Sequence, residues 1–354
     1  MGLAHSPKIV TDGLAFIYDT GSGKSYKGEP TTNLNTFTLS DSGTDGSGQS
    51  SVGTRTVISD NYVRIVDAAS NTRQTHVITG LTASTTYTLS IMYKKLTGAP
   101  TFRFQIQDYS GSSYLRTIKF TNTSEIGIQD KEGWQLASWT FTLGSDANAV
   151  RVWYQDGADY TTYTHSFELQ NPQLEAKSHA TQFVNGTRSV TEGLLDLTNN
   201  ATINLSNVSF DSNAQMVLDG TDDTINTGLF SGRNPATDPF TIEAVVKSDT
   251  TSGGRMWVDA TNNGSNQRLY CAHAATGTGT PMGIQGSGWS SSAPHDTDYH
   301  HYVIVMDGSV ARLYNNGEAH STKNYTSYQI QALNIGGRNT YRWFGDIPIF
   351  KLYD

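Results

Sequence analysis

The chain is poor in charged residues and in cysteine. Only 16% of its 354 residues are charged, whereas roughly 25% is usual for soluble domains. Its single cysteine, Cys271, cannot form an internal disulfide and is most simply a small buried apolar residue. We therefore expect a chain that folds without cross-links, as a protein made in a reducing cytosol would.

Long apolar runs and basic clusters are also missing. No segment reaches the roughly 18 consecutive apolar residues that a membrane-spanning helix needs, and the N-terminus lacks the apolar stretch of a signal peptide. The formal net charge is −8, and no cluster of lysine and arginine offers a track for phosphate groups. The sequence therefore predicts no membrane insertion and no nucleic-acid partner.

Glycine and tyrosine, by contrast, are abundant, with 34 and 18 copies. Apolar and polar side chains alternate with period two over residues 101–107 and 149–155, which is typical of half-buried strands. Further strand-like runs occur at residues 87–94, 135–143, 240–247, 302–306 and 311–314. The NNG run at 315–317 predicts a hairpin turn, because Asn and Gly tolerate positive φ. The sequence therefore predicts an all-β fold.

The C-terminal half resembles the laminin-G-like, concanavalin A-like jelly rolls. The resemblance rests on the order and spacing of MVLDGTDDTI at 216–225, FTIEA at 240–244, YHHYV at 299–303, ARLYNNGE at 311–318, LNIGG at 333–337, FGDI at 344–347 and IFKLY at 349–353. It implies an antiparallel jelly roll that ends with the last of these motifs.

The first residues resemble the opening strand of the same family in phage structural proteins. PKIVTDGLAFIYD at 7–19 and KSY at 24–26 carry this resemblance. In that family the strand runs almost directly into a segment like LDLTNNA at 195–201, and here a long stretch intervenes. We therefore expect a discontinuous jelly roll of residues 1–30 and 186–354, with residues 31–185 inserted as a second domain.

The inserted stretch resembles the carbohydrate-binding-module-like, galactose-binding-like β-sandwiches of phage fibres. The matching motifs are TTNL at 31–34, GLTASTTYTLS at 80–90, NPQLEA at 171–176 and ATQF at 180–183. The fold class expected for the whole chain is thus two antiparallel β-sandwich domains, one inserted in the other.

Catalytic motifs are absent from the sequence. Retaining glycoside hydrolysis needs two carboxylates about 5–5.5 Å apart, and no Glu-x-Asp-x-x-Glu pattern occurs, while Glu243 stands isolated among apolar residues. His300 and His301 are neighbours on a predicted strand and face opposite sides, so they cannot jointly hold zinc. We expect one histidine in the core and the other at the surface. Since no catalytic motif occurs, we expect no enzymatic activity.

Asp219, Asp222 and Asp223 form the best acidic cluster. Hard cations such as calcium are held by carboxylates and carbonyls in loops of this kind. The alternative is a turn in which Asp side chains accept hydrogen bonds from nearby backbone amides. No cofactor is required by either interpretation, and structural calcium is an expectation of the first.

The best candidate ligand site lies in the inserted domain. Arg103, Gln105 and Gln107 share the polar face of one predicted strand, and Arg151, Trp153 and Gln155 share that of another. If the strands are neighbours, a tryptophan is ringed by amide and guanidinium groups, the mixture that sugars require.

The same face could instead contact a neighbouring protein, or be an ordinary solvated surface. Trp289, in a GSGWS run, is expected to be exposed and is a further candidate for carbohydrate binding, whereas Trp134, Trp139 and Trp257 are expected in the core.

The resemblance implies a bacteriophage virion structural protein made in the host cytoplasm and located on the virion surface. We expect capsid decoration or a short fibre or appendage, with other virion proteins and host surface glycans as partners in host adhesion. Phage appendages of this kind are commonly trimeric, which predicts a homotrimer that gains avidity. Two other classes stay open: a secreted or cell-surface bacterial lectin, and a glycan hydrolase of the concanavalin A-like class.

Overall fold

A computed structural model of the chain describes residues 12–35, 39, 54–66, 73–97, 102–110, 113–121, 132–156, 166–229, 232–250, 255–261, 268–273, 282–284, 287–289, 296–325, 330, 332–338 and 341–354. These residues form 28 strands and no helix, which confirms the predicted all-β class. Over this part of the chain there is accordingly no helix long and apolar enough to cross a membrane.

The strands range from two residues in the shortest to 12 in the longest. In chain order they are β1 Leu14–Asp19, β2 Thr31–Thr32, β3 Thr54–Ser59, β4 Tyr62–Val66, β5 Arg73–Thr79, β6 Thr86–Thr97, β7 Phe102–Ser110, β8 Ser113–Thr121, β9 Trp134–Thr142, β10 Ala149–Asp156, β11 Ser166–Glu175, β12 Thr187–Arg188, β13 Asn204–Asn207, β14 Ser209–Phe210, β15 Met216–Asp219, β16 Thr224–Asn226, β17 Phe240–Ser248, β18 Arg255–Thr261, β19 Arg268–His273, β20 Met282–Ile284, β21 Ser287–Trp289, β22 Tyr299–Asp307, β23 Val310–Asn315, β24 Glu318–Asn324, β25 Ala332–Ile335, β26 Gly337–Arg338, β27 Tyr341–Arg342 and β28 Phe344–Tyr353.

The chain divides into two compact units. Unit 1 comprises Met1–Pro30 and Arg188–Asp354, and unit 2 comprises Thr31–Thr187. The segment that forms unit 2 begins and ends in a two-stranded ribbon of β2 and β12, in which the hydroxyls of Thr32 and Thr187 lie 3.1 Å apart. The two ends of this segment are thus adjacent, which is the geometry that a domain insertion requires.

Unit 1 is a sandwich of two antiparallel sheets. One has the order β14-β15-β28-β17-β22-β23-β24, with β1 also paired to β28, and the other has the order β13-β16-β25-β18-β19-β20-β21. A single apolar cluster contains Ile242 and Ile304 from the first sheet and Val258 and Ile335 from the second, all fully buried. Period-two alternation produces this core, because every second side chain of a strand points to the same face.

The first strand belongs to unit 1. In the antiparallel pair of β1 and β28, Phe16 lies opposite Leu352 and Tyr18 opposite Phe350. The rings of Tyr18 and Phe350 stack with centroids 6.2 Å apart, and both side chains are fully buried. The prediction that residues 14–18 pair within the C-terminal jelly roll is confirmed.

The hairpin predicted at 315–317 is also confirmed. β23 and β24 pair in an antiparallel arrangement, and the turn between them places Asn316 at φ 51 and Gly317 at φ 84. Two successive residues with positive φ match the right-handed twist of a two-residue hairpin.

Unit 2 is likewise a sandwich of two antiparallel sheets. Their orders are β3-β4-β11-β6-β9 and β5-β10-β7-β8. Leu89 and Ile91 of the five-stranded sheet share one buried cluster with Ile106, Val150 and Val152 of the four-stranded sheet. The opposite, outer face of the four-stranded sheet carries the candidate ligand residues.

Candidate functional site

The four-stranded sheet of unit 2 makes the two candidate strands direct neighbours. β10 lies between β5 and β7, and in the β10–β7 pair Arg151, Trp153 and Gln155 stand opposite Gln107, Gln105 and Arg103, respectively. Residues directly opposite in an antiparallel pair project from the same face. The backbone therefore brings these six residues together as three cross-strand pairs, on the face opposite to that of Val150 and Val152.

Four of the predicted binding side chains lie outside the part that the structure describes. They are those of Arg103, Trp153, Gln155 and Trp289. Their roles in carbohydrate binding stay predictions, and the same holds for the predicted burial of the Cys271 side chain.

Arg151 is the best-defined polar group of this face. Its Nε donates a hydrogen bond to Oε1 of Gln107 over 2.6 Å, and its guanidinium carbon lies 4.9 Å from the centroid of the Tyr109 ring. A planar guanidinium over an aromatic ring combines cation–π attraction with stacking. Arg151, which is half-buried, is therefore held in one orientation from two sides.

Gln107 departs from the expectation that it faces water. Its side chain is only 5% exposed. The long Arg151 side chain reaches across from the neighbouring strand, hydrogen-bonds to Gln107 and covers it. Gln105, two residues earlier, is half-buried. Gln107 thus positions the Arg151 guanidinium and lies beneath the accessible surface.

Two tyrosines complete this face, and the sequence interpretation missed both. Tyr109 lies two residues after Gln107 on β7, so the two side chains share one face. Tyr114 of β8 stands directly opposite Tyr109. Their ring centroids are 6.3 Å apart in an edge-to-face arrangement, with Tyr109 6% and Tyr114 52% exposed. The alternation through 105–109 was a usable signal for Tyr109, whereas bulges in the β7–β8 register hide the position of Tyr114.

We call the residues Gln105, Gln107, Tyr109, Tyr114 and Arg151 the tyrosine–arginine face. It combines an exposed aromatic ring with a fixed guanidinium. A phenol ring can pack against the C–H face of a sugar, and guanidinium and amide groups supply hydrogen bonds for hydroxyl groups. The chemistry of the face suits a hydroxyl-rich ligand that meets a flat surface.

The described tryptophans divide into two environments. Trp139 and Trp257 lie in the apolar clusters of units 2 and 1, as predicted. Trp134 is buried too, but it packs outside the core cluster, with its ring centroid 5.6 Å from that of Tyr62 and 5.7 Å from Nζ of Lys94. The core prediction for Trp134 is therefore corrected to the outer face of the five-stranded sheet, where Lys94 is its direct cross-strand neighbour.

The acidic cluster of unit 1 brings ligand atoms of Asp219, Asp222 and Asp223 within 4.8 Å of one another. Asp223, however, is 1% exposed and accepts hydrogen bonds from the amide and hydroxyl of Ser209 and from the amide of Asp219. Desolvation by burial raises the pKa of Asp223 above its usual value.

The carboxylate of Asp219 is likewise occupied, since it accepts a 2.7 Å hydrogen bond from the Thr221 amide, which lowers its pKa. A calcium ion needs six to eight oxygen ligands, and two of the three carboxylates here already satisfy backbone amides. The arrangement fits a turn braced by aspartates better than it fits a cation site.

Glu243 is not isolated, in contrast to the sequence-based expectation. On the outer face of its sheet, Oε1 accepts hydrogen bonds from Lys351 Nζ at 2.8 Å and from His301 Nε2 at 3.0 Å, and Oε2 accepts one from the Tyr353 hydroxyl at 2.8 Å. Burial alone would raise the pKa of Glu243, but these hydrogen bonds and the Lys351 charge hold it below its usual value. The group is therefore suited to structural pairing and unsuited to donate a proton as a general acid.

The two histidines face opposite sides of β22, as predicted. His300 is 6% exposed, with Nε2 2.7 Å from Oδ1 of Asp296, whereas His301 lies at the outer face against Glu243. They cannot ligate one metal ion together.

Comparison with known proteins identifies a similarity in unit 1. A family model described as the concanavalin A-like lectin/glucanases superfamily, Laminin_G_3, matches residues 219–354. A lectin-like, carbohydrate-binding domain fold is thereby supported for this part of the chain. A comparison with curated protein sequences finds no match.

Among solved structures, a family 4 carbohydrate-binding module is 15% identical, with 49% of this chain and 93% of that one covered and a TM-score of 0.26. Mouse laminin α1 domains LG4-5 are 8% identical, with 80% of this chain and 87% of the laminin chain covered and a TM-score of 0.31. A Trypanosoma rangeli sialidase mutant is 11% identical over 62% of this chain and 46% of its own length, with a TM-score of 0.33.

Proposed function

We propose that the protein is a non-enzymatic carbohydrate-binding protein of a bacteriophage virion surface, where it decorates the capsid or forms a short fibre or appendage. The observation that carries the binding part of this proposal is the tyrosine–arginine face. Its central Tyr109 ring contacts exposed Tyr114 on one side and the Arg151 guanidinium, which Gln107 holds, on the other. The match of residues 219–354 to a lectin superfamily supports the same ligand class.

The virion part of the proposal rests on the resemblance of the N-terminal and inserted segments to phage structural proteins. The protein would be made in the host cytoplasm and act at the virion surface, with other virion proteins and host surface glycans as partners. A homotrimer would multiply weak individual contacts into a strong attachment. Structural calcium is not part of this proposal, because the carboxylates of Asp219 and Asp223 already accept hydrogen bonds from backbone amides.

Binding rather than hydrolysis is favoured by the state of the carboxylates that the structure describes. Both oxygens of Glu243 are engaged by Lys351, His301 and Tyr353. Asp223, whose pKa is raised by burial, lies beneath the surface of a turn. A hydrolase needs an accessible pair, one carboxyl group protonated and one ionised.

Two experiments test the two parts. Purified virions are probed with gold-labelled antibodies against this chain, and the purified protein is applied to an array of neutral, sulfated and sialylated glycans. We expect labelling at the virion surface, retention of at least one glycan and no release of reducing ends. Absence from virions would contradict the location, and failure to bind any glycan would contradict the ligand class. Light scattering on the same sample tests the trimer, which a stable monomer at high concentration would exclude.

A further inference from the structure

A second aromatic group stands exposed in unit 1, next to a cleft. Tyr299 is 55% exposed and begins β22. In the sheet it lies opposite Lys247 of β17, which in turn lies opposite Asp346 of β28. The three residues form one row across three neighbouring strands, so their side chains project from the same outer face.

The Tyr299 ring is held across this row. Its hydroxyl donates a 2.9 Å hydrogen bond to Oδ2 of Asp346, and Nζ of Lys247 lies 5.8 Å from the ring centroid. Partial burial, together with the bond to Asp346, raises the pKa of Tyr299 to about 12, so the phenol remains a hydrogen-bond donor at neutral pH. An exposed ring fixed in this way loses little further conformational freedom when a ligand packs on it.

The cleft beside the ring has a volume of about 270 Å³. Its walls are partly apolar, from Met216, Val217, Ile347 and Pro348, and partly polar, from Thr20, Asp211, Gln215 and Asp346. Small-molecule pockets begin at roughly 300 Å³, so this cleft suits a single ring-sized unit of a longer ligand.

The charges of the cleft select the ligand. Asp346 offers an acceptor that suits hydroxyl donors, whereas Oδ1 of Asp211 already accepts hydrogen bonds from the amides of Asn213 and Gln215. Because Lys247 is paired with Asp249 over 3.3 Å, the two aspartates of the wall leave a negative charge that disfavours an acidic ligand. The Tyr299 ring and the apolar wall offer surfaces for the C–H face of a sugar. An unsubstituted hydroxyl-rich ring satisfies both requirements, whereas a uronate or sialate does not.

We propose that the Tyr299 cleft is a second carbohydrate site, specific for one ring of a neutral saccharide and separate from the tyrosine–arginine face. The inference shares only its ligand class with the proposed function, since it depends on residues of unit 1 alone. Tyr299 supplies the stacking surface, and Asp346 positions the ring and accepts hydrogen bonds from the sugar.

The test is calorimetric titration of the full chain with four neutral hexasaccharide probes, built from glucose, galactose, mannose and N-acetylglucosamine, and with a hexamer of galacturonic acid. We expect at least one neutral probe to bind, and we expect any binding of the acidic probe to be the same in the wild type and in Y299A. Y299A should weaken neutral binding about tenfold or more, while Y299F, which keeps the ring, should cause a smaller loss. Circular dichroism of both variants confirms that they are folded.

Y114A, in the other unit, separates this proposal from the proposed function. Calorimetry is run on Y114A as well. Y114A removes the exposed ring of the tyrosine–arginine face and leaves binding at the Tyr299 cleft measurable, and Y299A does the reverse. If Y299A binds every probe as the wild type does, or if Y299A loses binding of the acidic probe, the neutral second site is contradicted and the tyrosine–arginine face is unaffected. If no neutral probe binds the wild-type chain, the second site is contradicted, and the proposed function is judged separately by the array of neutral, sulfated and sialylated glycans.

Discussion

Nε of Arg151 donates a 2.6 Å hydrogen bond to Oε1 of Gln107 across the β10–β7 pair. The bond turns two polar residues of the outer face into one unit, in which a buried amide holds a half-buried guanidinium against the Tyr109 ring. Binding groups that are fixed in advance lose less entropy on association than mobile ones. We therefore attribute the preorganisation of the tyrosine–arginine face to this pair.

A double-mutant cycle measures the pair directly. Arg151→Ala and Gln107→Ala, singly and together, should give a coupling energy of about 1.5–3 kcal/mol in the free energy of unfolding, the range for hydrogen bonds to charged groups. Urea unfolding of the four proteins supplies the numbers. Additive effects of the two substitutions would show that the bond does not hold Arg151 in solution.

Trp153→Ala tests the part of the face whose side chains the structure does not describe. Its backbone lies opposite Gln105 and on the face away from Val152, so we expect the variant to fold with an unchanged thermal midpoint. Carbohydrate binding should weaken by about 1–3 kcal/mol if the ring contacts the ligand.

Virion incorporation of the same Trp153 variant distinguishes two uses of the face. Lost glycan binding with normal incorporation would indicate a receptor site, and lost incorporation would indicate a contact between virion proteins. Unfolding of unit 2 would mean that Trp153 belongs to the core and that its face is assigned wrongly.

Glu243→Gln tests the outer-face network of unit 1 through its pH dependence. Because the folded-state pKa of Glu243 lies below its usual value, the network stabilises the fold above the unfolded pKa, and this contribution is lost as the pH falls through the folded pKa. The substitution should cost about 1–3 kcal/mol at pH 7 and less at acidic pH. Urea unfolding from pH 7 to pH 3 checks this, and an equal loss at both ends would contradict the assignment.

Asp223→Ala and Asp222→Ala distinguish a braced turn from a cation site. The Asp223 carboxylate accepts hydrogen bonds from backbone amides, so its removal should destabilise the fold by about 1–3 kcal/mol. Removal of the exposed Asp222 carboxylate should cost less than about 0.5 kcal/mol. We expect neither calcium nor a chelator to change the Tm of the wild type. A calcium-dependent rise in Tm that is lost in Asp222→Ala would establish the cation site instead.

The sequence predicted strands well and side-chain partners poorly, for a physical reason. Alternation within residues 149–155 depends on local geometry alone, and it correctly assigned Val150 and Val152 to the core. The burial of Gln107 depends on Arg151, which reaches it from a strand 44 positions away in the chain. The partners of Glu243 are His301, Lys351 and Tyr353. All three lie far from Glu243 in the sequence, so no local pattern encodes these pairings.

Tyr114 shows the same limit for the candidate site. Its place opposite Tyr109 follows from register shifts between β7 and β8, and a single shift moves a side chain to the other face. The sequence pattern could therefore identify the strand that carries the ligand face, but not the exposed ring at its end.

The most direct test of the central claim is a calorimetric titration of one bound glycan, chosen from the array, into wild type, Tyr114→Ala and Leu136→Ala. Tyr114 and Leu136 are similarly exposed, at 52% and 42%, and lie in different sheets of unit 2, so Leu136→Ala is the matched control. We predict that Tyr114→Ala weakens binding by about 1–3 kcal/mol while Leu136→Ala binds as the wild type does. Equal affinity of all three proteins, or a loss confined to Leu136→Ala, would contradict the assignment of carbohydrate binding to the tyrosine–arginine face.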